Sequence, residues 1–258
     1  REHIFASKLF PSEVNCALQV PGLKTHTCAR THGFLGRVVA PLIERRMELK
    51  KLRKRKGDLY DLQQNALKWL LVTCFGYTGY KNARFGRIEA HEAICAWARE
   101  ILLDTISIAE EEGWNVLHAI VDCVWIENKS LETREEKISH ALRLADKVSK
   151  EIGIPLEFED IYDFIGFLPS RMHGSGSLTK YWAHGQNGFK LRGIEARQHS
   201  TCRWIRNLQT KALEILKGKI DCGRDFYSVK IQNRIVGILK DELRKLYSNN
   251  LDYTDLII

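Results

Sequence analysis

The sequence predicts an α+β fold, in which long amphipathic helices are separated by a few short antiparallel hairpins. Apolar residues recur at helical spacing over residues 34–56, 64–73, 88–112 and 131–152. β-type runs bounded by turn residues occupy 115–127 and 178–193. Neither an internal repeat nor a low-complexity linker interrupts the 258 residues, a length that buries a substantial core as one large domain or two smaller ones.

Composition narrows the class. Apolar residues at 44% and charged residues at 28% are ordinary for a globular protein in water. No apolar run reaches membrane-spanning length and the first residues lack a basic-then-apolar leader, so a membrane partner is not expected and a cytoplasmic location is the default. Seven cysteines at 16, 28, 74, 95, 123, 202 and 222, with no C-x-x-C spacing, argue against a disulfide framework and against a zinc site. Net charge +8 points to a polyanionic partner. The charge is concentrated in residues 45–56, RRMELKKLRKRK, a run that serves as a solvated helix face about as often as a nucleic-acid contact. The chain starts without methionine and stops on Leu256, Ile257 and Ile258, which suggests a portion of something longer.

Taken in order, residues 1–32 hold Pro11, Pro21 and Gly22 without sustained periodicity and are expected to be irregular. Phe34/Leu35, Val38/Val39, Leu42/Ile43 and Met47 then mark a helix on which Arg46 and Lys50, four apart, share a face. RKGDLY at 55–60 is the expected turn into the stretch 64–80, QNALKWLLVTCFGYTGY, which joins a second helical pattern to a turn. There Ala66, Leu67, Leu70 and Leu71, widened by Trp69, are expected to pack along their length. Lys68 interrupts that face. By itself it reads as a solvated lysine, but Gly76 and Gly79 among Phe75, Tyr77 and Tyr80 suggest a double-glycine turn that backbone or a planar ligand approaches closely.

A long helix over 88–112 should turn Ile94, Trp97, Ile101, Leu102 and Ile106 inward and end at Gly113. Residues 115–127 read as two β-runs meeting at Val121 and Asp122, where the aspartate either satisfies turn amides or serves chemistry. Residues 131–152 form another helix with Ile138, Leu142, Ala145, Val148 and Ile152 inward; 155–169 reads as a strand with an acidic exposed face, and 178–193 as a hairpin around Gly185 and Gly188. Helices over 195–217 and 226–247 complete the chain.

Residues 64–79 resemble the fingers helix of family B DNA polymerases, Gln-x-Ala-x-Lys-x-x-x-Asn-Ser-x-Tyr-Gly-x-x-Gly. Gln64, Ala66, Lys68, Gly76 and Gly79 match, Thr73 and Phe75 are close substitutes, and Val72 replaces the asparagine. Four further patterns follow the family's order. Leu42, Ile43, Arg46 and Lys50 match its Leu-Leu-x-x-Arg-x-x-x-Lys helix. His118, Ile120, Val121, Asp122 and Cys123 stand in Tyr-x-Asp-Thr-Asp-Ser. Tyr181 and then Arg192, Gly193, Ile194 and Glu195 follow Lys-Lys-x-Tyr and Arg-Gly-Ile/Leu-Glu, with Leu178 and Thr179 at the two lysines and Lys180 one place later. Residues 5–12 align with Asp-x-x-Ser-Leu-Tyr-Pro-Ser, where Leu9, Phe10, Pro11 and Ser12 fit its second half, Phe5 stands at the aspartate and Lys8 at the first serine; in another register that motif lies upstream of residue 1.

The resemblance, particularly to archaeal branches with altered catalytic motifs, implies a palm with an antiparallel sheet, helical-hairpin fingers and a partial helical thumb. It assigns 1–33 to an N-terminal palm segment, 34–80 to fingers, 81–195 to palm and 196–258 to the start of the thumb, without exonuclease and N-terminal domains. Arg46, Lys50 and Lys68 would hold the triphosphate beside Phe75 and Gly76, and Lys180, Tyr181, Arg192 and Gly193 would contact DNA, as primer-template or single strand. Asp122 would be the catalytic carboxylate and a ligand of Mg2+ in an incomplete site, since two-metal phosphoryl transfer needs several clustered carboxylates. The implied function is binding of DNA and nucleoside triphosphate with polymerase activity impaired or lost. The alternative is an active nucleotidyltransferase completed by another chain or segment, and other polymerase or repair subunits are implied partners. Such a chain belongs to a larger assembly or is the remnant of a decayed gene. A helical protein indifferent to nucleic acid is the blander reading, disfavoured by the basic run and the order of the matches.

Overall fold

A computed structural model describes residues 17–28, 33–56, 58–170, 172, 174–217 and 228–258. The chain divides into two compact units, one of residues 1–129 with 150–154 and one of 130–149 with 155–258.

In the first unit, two strands, β1 (Ala17–Gln19) and β2 (His26–Cys28), form an antiparallel hairpin where an irregular segment was expected. The pairing is too short to leave a period in the sequence. It is fixed by burial: Val20, fully buried, packs with Ala93 and Ala96, and Arg99 donates to the Pro21 carbonyl at 3.3 Å.

The basic run closes α1 (Phe34–Lys56), and α2 (Asp58–Thr78) follows after Gly57. The two pair as an antiparallel helical hairpin. A two-helix seam admits only a narrow 3–4-spaced stripe from each partner. On α1 the stripe is Leu35, Val39, Leu42, Arg46 and Leu49; on α2 it is Gln64, Leu67, Leu71, Cys74 and Thr78. The expected apolar face of α2 is therefore corrected: Leu71 and Leu67 face inward, whereas Ala66, Trp69 and Leu70 fall off the seam and are exposed, as are Val38, Ile43 and Met47 on α1.

α3 (Ile88–Glu111) buries Ala90, Ala93, Ala96, Thr105, Ile108 and Ala109. Small residues let neighbouring backbone approach, so alanines make the buried stripe and Ile94, expected inside, is exposed. Its end is a Schellman cap: Gly113, at φ +80°, donates to Glu110 O at 3.0 Å, and Trp114 donates to Ala109 O at 3.0 Å. The chain then enters β3 (Asn115–Ile120) and returns in β4 (Cys123–Glu127), the expected hairpin, with a register irregularity between Val116 and His118.

In the second unit, α4 (Arg134–Ile152) opens with a capping box, Thr133 Oγ1 accepting from Glu136 N and Glu136 Oε2 from Thr133 N, both at 3.2 Å. Leu144, Ala145 and Val148 are buried, while Leu142, expected inside, is exposed. A three-stranded antiparallel sheet follows in the order β5 (Tyr162–Pro169), β6 (Gly176–Gly185), β7 (Gly188–Arg192). The strand expected from 155 starts only at Tyr162. Of the acids before it Glu157 and Glu159 are exposed, as expected, and two of the acids are paired: Glu159 with Lys190, while Asp160 accepts from Asn187 at 2.9 Å.

One face of this sheet carries Trp182, Phe164, Phe189 and Leu191, which pack with Ile194, Leu213 and Leu216. The last two lie on α5 (Arg203–Lys217), which begins later than the helix expected from 195; a single 3-10 turn, Glu195–Arg197, precedes it and is tied back by Gln209. α6 (Val229–Tyr247) pairs with α5. No described helix is long and apolar enough to cross a membrane.

Candidate nucleotide and nucleic-acid sites

Arg46 on α1 and Lys68 on α2 each stand eleven positions from residue 57, which separates the two helices in the sequence. At about 1.5 Å of rise per residue, two antiparallel helices bring these residues to one level, on the order of 16 Å from the turn. Arg46 is half-buried in the seam, and its Nε is buried without a hydrogen-bond partner. Lys50, one turn along the same face, is half-buried; Lys68 on the facing helix is exposed. Gln64, level with Lys50, is buried and donates through Nε2 to Asp61 at 3.0 Å, while its Oε1 is buried without a partner. An unsatisfied buried donor is costly, and the Arg46 guanidinium carries one in this seam.

The double-glycine turn is corrected. Gly76 lies inside α2 and is exposed; among the described residues no atom comes within 4 Å of where its Cβ would stand. Only Gly79 makes a close approach, and its neighbour is internal: a Cβ there would be 3.1 Å from the His91 ring. Phe75 stacks on that same imidazole, with centroids 4.4 Å apart. No sequence pattern points to His91, because it stands thirteen positions from Thr78, too far for a local pattern.

At the tip of the β3–β4 hairpin, two residues, Val121 and Asp122, join the strands, and Ile120 pairs with Cys123. Both tip residues are exposed, and Val121 is held at φ +55°. A β-branched residue in the left-handed region is strained, by roughly 1–3 kcal/mol. The implied Mg2+ can be tested against these residues. Ile120 and Val121 offer no carboxylate, and among the described residues no group of three or more His, Cys, Asp or Glu side chains is placed to hold an ion. Asp122 by itself does not fit a two-ion centre. The segment containing Phe5 and Lys8 lies outside the described residues.

On the sheet, Tyr181 pairs with Arg192 and therefore shares its face, while Lys180 points to the other. Tyr181 is 1% exposed, its ring tilted against Phe167 at 5.8 Å, so its side chain is a packing element of the sheet and offers no surface to DNA. Lys180 and Arg192 are exposed. Gly193 sits at φ +60°, where a Cβ would collide with the Thr179 carbonyl; only glycine lets β7 leave the sheet there.

Known proteins share sequence and fold with this chain. The model of DNA polymerase family B matches residues 11–258. DNA polymerase 2 of Saccharolobus solfataricus is 35% identical over 167 residues, 65% of this chain and 24% of that protein. A DNA polymerase of Archaeoglobus fulgidus is 25% identical over 232 residues, 88% of this chain and 27% of that protein. The structure of the family B DNA polymerase from Pyrobaculum calidifontis superposes with a TM-score of 0.61 at 22% identity, over 94% of this chain and 29% of that one. The chain thus spans about a quarter of the length of these relatives, and the fold it shares is theirs. With its family model matched along nearly the whole length, the chain belongs to DNA polymerase family B.

Proposed function

We propose that this chain is the palm, fingers and partial thumb of a family B polymerase that binds DNA and nucleoside triphosphate and, by itself, extends primers little or not at all. The observation that carries the reading is the β3–β4 tip, where Asp122 is preceded by Ile120 and Val121 and no second carboxylate stands beside it in the sequence. Cations position a triphosphate, but charge developing on the transferring phosphoryl group is stabilised chiefly by metal ions in this chemistry. Arg46, Lys50 and Lys68 then retain nucleotide binding, Lys180 and Arg192 retain phosphate contacts to DNA, and the chemical step is lost. The retained, exposed Asp122 supports a second reading, in which another chain brings the missing carboxylates to it.

Primer extension by the purified chain with magnesium or manganese, beside an Asp122→Ala control, tests the proposal. Extension at background level in both is expected. Robust extension that disappears in Asp122→Ala would overturn it and mean that a complete carboxylate cluster forms around this residue. Extension recovered only on adding a partner polymerase subunit would support the second reading.

A further inference from the structure

The chain has ten asparagines, and the residue that follows each one governs how easily its amide reacts. Nine are followed by a residue with a side chain, which shields the next backbone nitrogen; Asn187 alone is followed by glycine. Without a Cβ, Gly188 leaves its nitrogen open and lets the backbone rotate until that nitrogen meets the asparagine side chain.

The fold presents this pair at a tip. β6 and β7 join through Gln186 and Asn187, with Gly185 paired to Gly188. Asn187 is exposed, and no described atom stands within 4 Å of where a Gly188 Cβ would be. Gly188 holds φ +94°, a conformation that a residue with a side chain adopts only under strain, so the turn itself requires the unshielded neighbour. One bond ties the Asn187 side chain down: its Nδ2 donates to Asp160 Oδ2 at 2.9 Å, while Asp160 Oδ1 accepts from Ile161 N at 2.8 Å. The tip also lies close on the chain before β5, since a Cβ on Gly185 would be 2.7 Å from the Ile161 carbonyl oxygen. The Asn187–Asp160 bond therefore helps to fasten the tip to that segment.

We propose that Asn187 is a site of spontaneous deamidation, which turns its tether to Asp160 into a repulsion and loosens the β6–β7 tip as the protein ages. The Gly188 nitrogen attacks Cγ of Asn187. The N–Cγ bond forms, the Cγ–Nδ2 bond breaks, and the side-chain nitrogen leaves as ammonia, carrying the proton that Gly188 N gives up. Water then opens the five-membered imide. Addition at Cγ gives aspartate and addition at the backbone carbonyl gives isoaspartate; neither route needs an oxidant or an enzyme. Both products put a carboxylate where a donor stood. Asp160 then loses its partner and faces a like charge at close range. Isoaspartate also adds a backbone carbon to a two-residue turn whose register is set by the pairs Gly185 with Gly188 and His184 with Phe189.

The test incubates the full chain at mildly alkaline and at mildly acidic pH, then maps it with trypsin and mass spectrometry. Cleavage after Lys180 and Lys190 isolates residues 181–190, in which Asn187 is the only asparagine. Its conversion, read as the mass gain of OH over NH2, should outpace that at every other asparagine by about tenfold, a barrier difference of about 1.4 kcal/mol. It should be faster in alkali, where Gly188 N gives up its proton more readily, and should yield aspartate and isoaspartate together. Conversion no faster than at Asn82, which is also exposed in a loop but precedes alanine, overturns the proposal. A product without isoaspartate overturns the imide route. For the consequence, Asn187→Asp should lower the melting temperature by about 2–4 °C. Adding Asp160→Asn should restore it, because donor and acceptor then exchange sides. An Asn187→Asp chain as stable as the wild type, or one that the exchange does not rescue, overturns the assigned repulsion.

Discussion

The imidazole of His91 lies on the ring of Phe75 with centroids 4.4 Å apart and planes 24° from parallel. Its Nδ1 is 3.0 Å from Thr78 Oγ1, whose own proton goes to the Phe75 carbonyl at 2.6 Å, so the hydroxyl oxygen accepts from Nδ1–H. The first turn of α3 thereby holds the last turn of α2. His91→Ala should cost about 1 kcal/mol from the missing ring pair, and more from the buried Thr78 hydroxyl left without its donor. A lower urea midpoint together with faster amide exchange at 76–80 is the expected result.

Lys68 stands level with Arg46 across the helical hairpin, and that pairing predicts a nucleotide effect. Lys68→Ala should weaken binding of a nucleoside triphosphate by about tenfold or more, the range of one charge-assisted hydrogen bond. Calorimetric titration of both proteins decides it. Equal affinities would leave Lys68 a solvated side chain.

Lys180 and Arg192 leave the sheet on opposite faces, so their alanine variants should differ. The double variant should lose duplex affinity and up to about 1.8 of salt slope, at 0.9 per phosphate. A duplex following one face would place most of that loss in one single variant. An unchanged slope in the double variant would exclude both residues as phosphate ligands.

Val121 at φ +55° stores strain that glycine does not feel. Val121→Gly should raise stability by roughly 1 kcal/mol, the strain relieved less the extra chain entropy of glycine. Thermal melting of the two proteins tests this, and a lowered melting temperature would mean that packing of the valine side chain outweighs its strain.

Glu242, buried on α6, accepts from Lys211 at 2.8 Å and Lys245 at 2.9 Å, and these bonds pull its carboxyl from 4.5 to about 2. A carboxylate with a depressed pKa contributes stability above its unfolded value, and the contribution is lost as protons bind on the way down. The wild type should therefore lose this share of stability between about pH 4.5 and pH 2, whereas Glu242→Gln should lack it at neutral pH and show a flatter profile across that window. Equal pH slopes for the two would show that the lysines do not hold the carboxylate in solution.

Much of the architecture was legible along the chain. Helical periods, the Gly113 stop, the two-residue tip at Val121 and Asp122, and the Gly185–Gly188 hairpin are local matters, decided by side chains within a few residues of one another. The motif order likewise needed only spacing, and it led to the family. Which apolar residues are buried was not local. Trp69, Leu70, Ile94 and Leu142 satisfy a helical period as well as Leu67, Leu71 and Ala93 do, and only the partner that each helix meets selects among them. The same holds for function-bearing groups. Tyr181 could be named from its motif, but cross-strand pairing with Arg192 and burial against Phe167 made it a packing residue. His91 joined the end of α2 only because two helices meet there. Sequence by itself determined the main helices, the two later hairpins and the family, because composition and spacing are properties of the chain. Tertiary structure decided faces, partners and which cations stay exposed, because burial is a property of surfaces brought together from distant positions.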